Sequence, residues 1–259
     1  MYGVTTYGGN NACHNGCGTL FYIDPNGNYQ QLYKFTGASD GANPVYPLTV
    51  GGYEYGFFGT TSSTIFNYNL PRNTLNVVHS FNQQNDGAFP SSKIFQDGAF
   101  FYGTTYFGGV NNGGIVYRIN YDGSNYIKIH EFGGNNDING SNPIGDLVIH
   151  RNTTPATPGD IFGVTAAGGN NFGGVLYEIT SDNKYIVLYN FSSFSGRIPK
   201  NGITQGIDNL LYGTLNYNAL NGKGSIFTFS PEKNIFNNLY NFSSEDGAAS
   251  SILLQKEID

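Results

Sequence analysis

The chain has 259 residues, a length that fits either two domains or one large all-β domain. Its formal charge of −6, with only 12 Lys plus Arg and no basic run, argues against a nucleic-acid partner, and no apolar stretch approaches a membrane span. Charged residues make up 12% and aromatics 15%, with 20 Tyr, 20 Phe and no Trp, so material for a core is ample. The 37 Gly and the abundant Asn punctuate aromatic runs, which is the composition of many tight turns and not of disorder.

The first predicted element is an aromatic-Gly-Thr run, Tyr2-Gly3-Val4-Thr5, whose residue types favour a strand. A loop rich in Gly and Asn follows, Gly8 to Gly16, and carries the chain's two cysteines around the sequence CHNGC. Free thiols are the first expectation for Cys13 and Cys17. A local disulfide is open to them if their α-carbons approach within about 7 Å. With His14 they offer three metal ligands, one short of a structural zinc set. Next come a strand at Gly18-Thr-Leu-Phe21, a turn at Asp24-Pro-Asn-Gly27 and a strand at Leu32-Tyr-Lys-Phe35. Beyond Asp40-Gly41, a segment led by Pro44 and closed by Leu48 ends the cycle, and Phe58-Gly59 begins it again.

The cycle recurs with leading runs at Tyr102-Gly103, Phe162-Gly163 and Tyr212-Gly213, giving five units of roughly 50 residues. Each has four strand-like segments. The first spans Pro44 to Leu48, Pro90 to Ile94, Pro143 to Leu147, Pro199 to Ile203 and, without the Pro, Ala249 to Leu253. The fourth always ends on Phe: Phe35, Phe81, Phe132, Phe191 and Phe242. Such meanders predict an all-β fold, a five-bladed β-propeller of four-stranded antiparallel blades forming one domain over 1–259. The chain starts in a second segment and ends just after a first one. Residues 250–257 are therefore expected to complete the blade begun by 1–35, closing the ring and removing two sheet edges. A β-sandwich is the alternative, but it would not require that phase match.

The copies resemble the Gloeo/Verruco-type tandem repeats over essentially the whole chain, best at Phe101-Tyr-Gly-Thr-Thr-Tyr-Phe-Gly-Gly109 with Gly114-Ile-Val-Tyr-Arg-Ile119. The layout is also similar to kelch blades. These resemblances imply a propeller whose first strand lines the central channel, and they bring no catalytic residues. Unit two departs from the pattern, because Thr61-Ser-Ser63 passes into the third segment without a Gly-Gly loop and leaves a notch.

In the kelch-like order, second-to-third-strand loops and unit-to-unit connections share one face. The candidate ligand-binding residues on it are Tyr7, Asn10, Asn11, Tyr106, Asn111, Asn112, Asn170 and Asn171, with Phe107 and Phe172 nearby. Amides beside aromatic faces suit neutral, hydroxyl-rich ligands; the plainer reading is that Asn and Gly only satisfy turns. Asp146 is the one acid on the presumed channel strands, at the position of Lys93 one unit earlier, so the two are expected to pair. A single carboxylate cannot perform two-residue glycoside hydrolysis. His79 and His130 stand where other units have Tyr33, Tyr189 and Tyr240, and read as aromatic substitutes. The insertion from His150 to Gly159 reads as an exposed loop, and Asn136 to Gly140 only faintly matches a calcium loop. The expectation is a non-enzymatic binding or scaffold propeller for a neutral glycan or a protein surface, with no catalytic residue, cofactor, metal, nucleic acid or membrane insertion. The alternatives are a purely structural component of a particle or surface layer, and a glycoside hydrolase-like enzyme. A soluble extracellular, virion or surface-associated setting suits it, and its Asn-rich, Arg-poor usage fits an AT-rich genome such as that of a giant DNA virus or a protist.

Overall fold

The computed structural model describes residues 1–51, 56–134, 136–150, 159–217 and 222–245. Among these, every regular element is a β-strand, and no helix is long and apolar enough to cross a membrane. The strands form five consecutive antiparallel sets. The first is β1 (Tyr2–Thr5), β2 (Thr19–Ile23) and β3 (Tyr29–Lys34). The second is β4 (Thr49–Val50), β5 (Phe57–Thr60), β6 (Thr64–Asn69) and β7 (Thr74–Ser80). The third is β8 (Ala88–Pro90) and β9 (Phe95–Asp97), both paired with β10 (Phe100–Phe107), then β11 (Ile115–Asn120) and β12 (Ile127–Glu131). The fourth is β13 (Ser141–His150), β14 (Asp160–Ala167), β15 (Val175–Ile179) and β16 (Tyr185–Asn190). The fifth is β17 (Arg197–Gln205), β18 (Leu211–Tyr217), β19 (Ser225–Ser230) and β20 (Ile235–Asn241). The segment expected to close the first set, 250–257, lies outside the described residues.

The first strand of a unit is weaker than the sequence suggests. Pro44 to Leu48 is not a strand; pairing begins only at β4, because Pro44 and Pro47 each lack an amide donor. Pro90 to Ile94 is likewise interrupted, with β8 and β9 flanking an unpaired stretch. Among the described first strands only β13 and β17 run nearly unbroken, each with a register shift across its glycine, and they approach one another in parallel at Asp146 and Gly202. That contact joins the fourth and fifth sets along their first strands.

The aromatic-Gly run is explained by what faces it. Gly3, Gly59, Gly103, Gly163 and Gly213 stand directly across the ladder from Phe21, Phe66, Tyr117, Tyr177 and Phe227. A methyl group on any of these glycines would lie under 3.0 Å from that ring, so the missing side chain is the seat for the cross-strand aromatic. A β-bulge precedes the same aromatic in all five sets, between Leu20 and Phe21 and at the four equivalent steps.

The core lies between neighbouring sets. Phe35, Phe132 and Phe191 pack against the third-strand rings Phe66, Tyr177 and Phe227 of the following unit at 5.1–5.4 Å between centroids, and Phe81 meets Tyr117 in the same way. Residues before the glycine reach the next unit too: Tyr2 touches Phe57 at 4.4 Å and Phe58 touches Phe101 at 4.3 Å. Each buried cluster therefore joins two sets, as Tyr102, Val116 and Phe132 do with Ile161, Val175 and Tyr177. Burial at about 25 cal/mol per Å² of apolar surface thus stabilises the stacking of units directly.

Candidate functional site

The second-to-third-strand loops and the unit-to-unit connections meet at one end of the sets. Backbone bonds tie them together: Gly109 N–H donates to Gln83 C=O, Gly169 to Asp137, Asn142 to Gly113, Ile198 to Gly173 and Asn43 to Cys17, all at 2.7–3.0 Å. The notch in unit two is present, since β5 ends at Thr60 and β6 begins at Thr64.

Unit one has the longest of these loops, and Cys13 and Cys17 in it are not free thiols. They form a disulfide with α-carbons 5.0 Å apart. The loop folds back on itself, Cys17 N–H donating to Asn10 C=O and Gly16 N–H to Cys13 C=O, which brings the thiols together; the disulfide then packs against Gly37 of the next connection.

The eight expected ligand residues divide into two kinds. Asn10 and Asn112 serve their own turns: Asn10 Oδ1 accepts from Ala12 N–H and Asn112 Oδ1 from Gly108 N–H, each at 2.9 Å, and Asn112 takes a φ of 55°. Asn170 N–H donates to Asn190 Oδ1. Asn11, Asn111, Asn170 and Asn171 are exposed at loop tips, and so is Tyr7. Tyr106 is half-buried, T-shaped against Phe107, and its carbonyl accepts from Asn142 Nδ2. The eight belong to three units, the first, third and fourth.

Sequence reasoning passed over the apolar side chains at this same end. Phe89, Val110, Ile138 and Phe194 are exposed, with Phe172 beside them. Phe89 is the most informative. It precedes Pro90 where Asn43 and Asn142 precede Pro44 and Pro143, and all share a left-handed backbone, φ 55° at Phe89. Asn tolerates that conformation; Phe and Ile198 (φ 61°) do not, so apolar residues there are held at a strain cost of about 1 kcal/mol or more. The replacement of Asn by Phe was the available sequence signal. Phe89 adjoins Phe107 at 6.0 Å in the connection that follows the notch.

The first strands hold the charged centre. Lys93 Nζ lies 2.9 Å from Asp146 Oδ2, and Lys93 N–H donates to Asp146 Oδ1, as the sequence implied. Burial first, and the Asp146 charge second, raise the pKa of Tyr46 from unit two. A cavity of about 330 Å³ opens beside the pair, lined also by Phe95, Asn201, Gln205 and Tyr212; among the described residues Asp146 is the one carboxylate in its wall. Asn201 Nδ2 is buried there without a hydrogen-bond partner, and Gln205 bonds the His150 ring at 2.8 Å. An ion pair this exposed contributes roughly 0–1 kcal/mol.

Among the described residues no group of three or more His, Cys, Asp or Glu could hold a metal. His79 and His130 are ring substitutes as expected. His79 stacks on Tyr126 at 4.4 Å and His130 on Tyr185 at 3.9 Å, as Tyr189 stacks on Phe236 at 4.0 Å. Although His79 Nε2 bonds Asp86 at 2.9 Å, burial outweighs that partner and lowers its pKa.

Two known structures share this architecture at low identity. The extracellular domain of the one component system BT4673 from B. thetaiotaomicron aligns with a TM-score of 0.59 and 12% identity, over 92% of this chain and 28% of that one. An oligogalacturonate lyase in complex with manganese aligns at 0.54 and 12%, over 86% and 58%. TolB from Acinetobacter baumannii aligns at 0.48 and 15%, over 90% and 50%. The chain thus spans between 28% and 58% of the length of these solved chains. No curated protein matches it in sequence. The Gloeobacter/Verrucomicrobia repeat matches residues 62–258, where the aromatic-Gly seats and their rings recur, and the chain belongs to that repeat family.

Proposed function

We propose that the chain is a non-enzymatic binding module, a single five-bladed propeller whose loop-bearing end docks a protein surface. Support for five blades is the fivefold recurrence of the glycine seat and its bulge, and the parallel approach of first strands at Asp146 and Gly202 is how kelch-like channel strands would meet. Residues 250–257 are taken to supply the missing first strand of the opening blade. The observation that carries the function is the set of exposed apolar side chains at one end: Tyr7, Phe89, Val110, Ile138, Phe172 and Phe194, between 53% and 88% exposed. Contiguous exposed apolar patches mark interaction surfaces; Ile207, Val45 and Leu239 are exposed elsewhere, but these six share the loop-bearing end. The Cys13–Cys17 disulfide fits an oxidising, extracellular or particle-surface setting.

A neutral glycan is the second reading, favoured by exposed Asn11, Asn111 and Asn171 next to Tyr7, Val110 and Phe172 in their loops. A glycan array and a cross-linking screen on the intact chain and on Phe89→Asn/Phe172→Asn/Phe194→Ser test both. The docking reading expects no array binding, and one cross-linked protein partner that the triple variant loses. Specific sugar binding kept by the triple variant would replace it with the glycan reading. Turnover of a polysaccharide would overturn the non-enzymatic reading altogether.

A further inference from the structure

A second cavity, of about 310 Å³, lies between the third and fourth units, bounded by the turn at Thr180 to Asn183 and so at the end opposite the loops. Arg118 lines it together with Tyr102, Ile127, Ile129, Ile161 and Asn183. Arg118 is individual to this unit. The residue across the ladder from the aromatic of each Gly run is Tyr22, Asn67, Arg118, Glu178 and Thr228 in turn, so the repeat does not ask for a cation here.

The Arg118 guanidinium lies over the Phe100 ring, 4.4 Å from its centroid, and its Nε is buried with no hydrogen-bond partner. Among the described residues no carboxylate pairs with it. Of the acids at the turn, Asp160 accepts from Ser181 N–H and Asp182 pairs with Lys184, both at 2.8 Å, while Glu178, on the strand leading into it, makes no ion pair with Arg118. Lys128, also in the wall, is committed to Glu131 at 2.7 Å. A guanidinium stays charged at any working pH, and leaving part of it buried and unpaired is unfavourable. Its planar fork matches a carboxylate bidentately.

We propose that this cavity binds a small carboxylate-bearing ligand of sugar-acid size, the carboxylate on Arg118, the apolar face of the ring on Ile127, Ile129 and Ile161, and a hydroxyl on Asn183. The volume is at the small end of ligand pockets, roughly 300–1,000 Å³, which suits one pyranose ring. The site is independent of the docking end and stands whether or not that reading holds.

Titration calorimetry of the full chain with glucuronate, succinate and glucose tests it, with Arg118→Met and Arg118→Lys and a thermal melt of each. Glucuronate is expected to bind and glucose not; Arg118→Met should weaken binding by about 10-fold or more, and Arg118→Lys by several-fold, since it keeps charge but loses the fork. If Arg118→Met fails to fold, Arg118→Lys decides. Succinate binding as tightly as glucuronate would support the carboxylate site and assign it to small acids in general. Failure of both acids to bind at about 20 mM, a weakness beyond any useful affinity, would overturn the proposal. Equal binding of glucose, or of glucuronate by a folded variant, would overturn it as well.

Discussion

At the scale of single residues, the glycine seats separate what the repeat requires from what it tolerates. Tyr117 and Tyr177 are fully buried over Gly103 and Gly163, and their hydroxyls find no partner, whereas Phe21, Phe66 and Phe227 fill the same seat without one. Burial pushes both phenol pKa values up. An unpaired buried hydroxyl costs about 1–3 kcal/mol, so Tyr177→Phe is expected to stabilise the fold by about 1 kcal/mol, read as a higher urea midpoint at unchanged slope. Gly163→Ala should act the other way, by about 1–3 kcal/mol, because its methyl would meet the Tyr177 ring and Leu147. The glycine was visible in the sequence as a repeat; its reason was not, because the ring it seats lies fourteen positions away at Tyr117 and Tyr177 and across the ladder.

At the scale of elements, the stacked fourth strands carry a pH signature. Burial dominates His130 and lowers its pKa from 6.5 to about 4, against the smaller opposing charges of Asp137 and Glu131; His79 shifts the same way. The folded state holds these rings neutral. Their contribution is therefore complete above pH 6.5 and is lost as pH falls from 6.5 towards 4, because the unfolded chain takes up the protons first. His130→Tyr, which copies units one, four and five, is expected to keep up to about 3 kcal/mol that the native chain loses across that window. Denaturation curves at pH 7 and pH 4.5 measure it; equal losses in both proteins would count against a buried neutral imidazole. The substitution of His for Tyr was readable from the alignment of units. Other features were not. The bulge before every third-strand aromatic leaves no mark in composition, and the two prolines that help to locate the first strand in unit two are also what keep Pro44 to Leu48 out of the ladder.

At the scale of the whole molecule, five strand sets are stacked through shared clusters, and what varies lies in the loops and crevices between them. The frame was legible because each unit repeats the same aromatic and glycine positions, and four of the five first segments begin with the same proline. The candidate site was legible only in part. The loop end was located and the Lys93–Asp146 pair anticipated, but two of the chosen amides, Asn10 and Asn112, are occupied by their own turns. Phe89 and Arg118 carry the stronger arguments because each breaks the repeat where local chemistry would not ask for it. The proposed function rests on these units forming a closed ring. Removing Ser250 to Asp259 and following thermal unfolding tests that most directly. In the proposed ring this segment supplies the closing strand, so its loss should lower the melting temperature by about 10 °C or more, at roughly 2–4 °C per kcal/mol for a chain of this size. A truncated chain that melts with the intact one would contradict the ring.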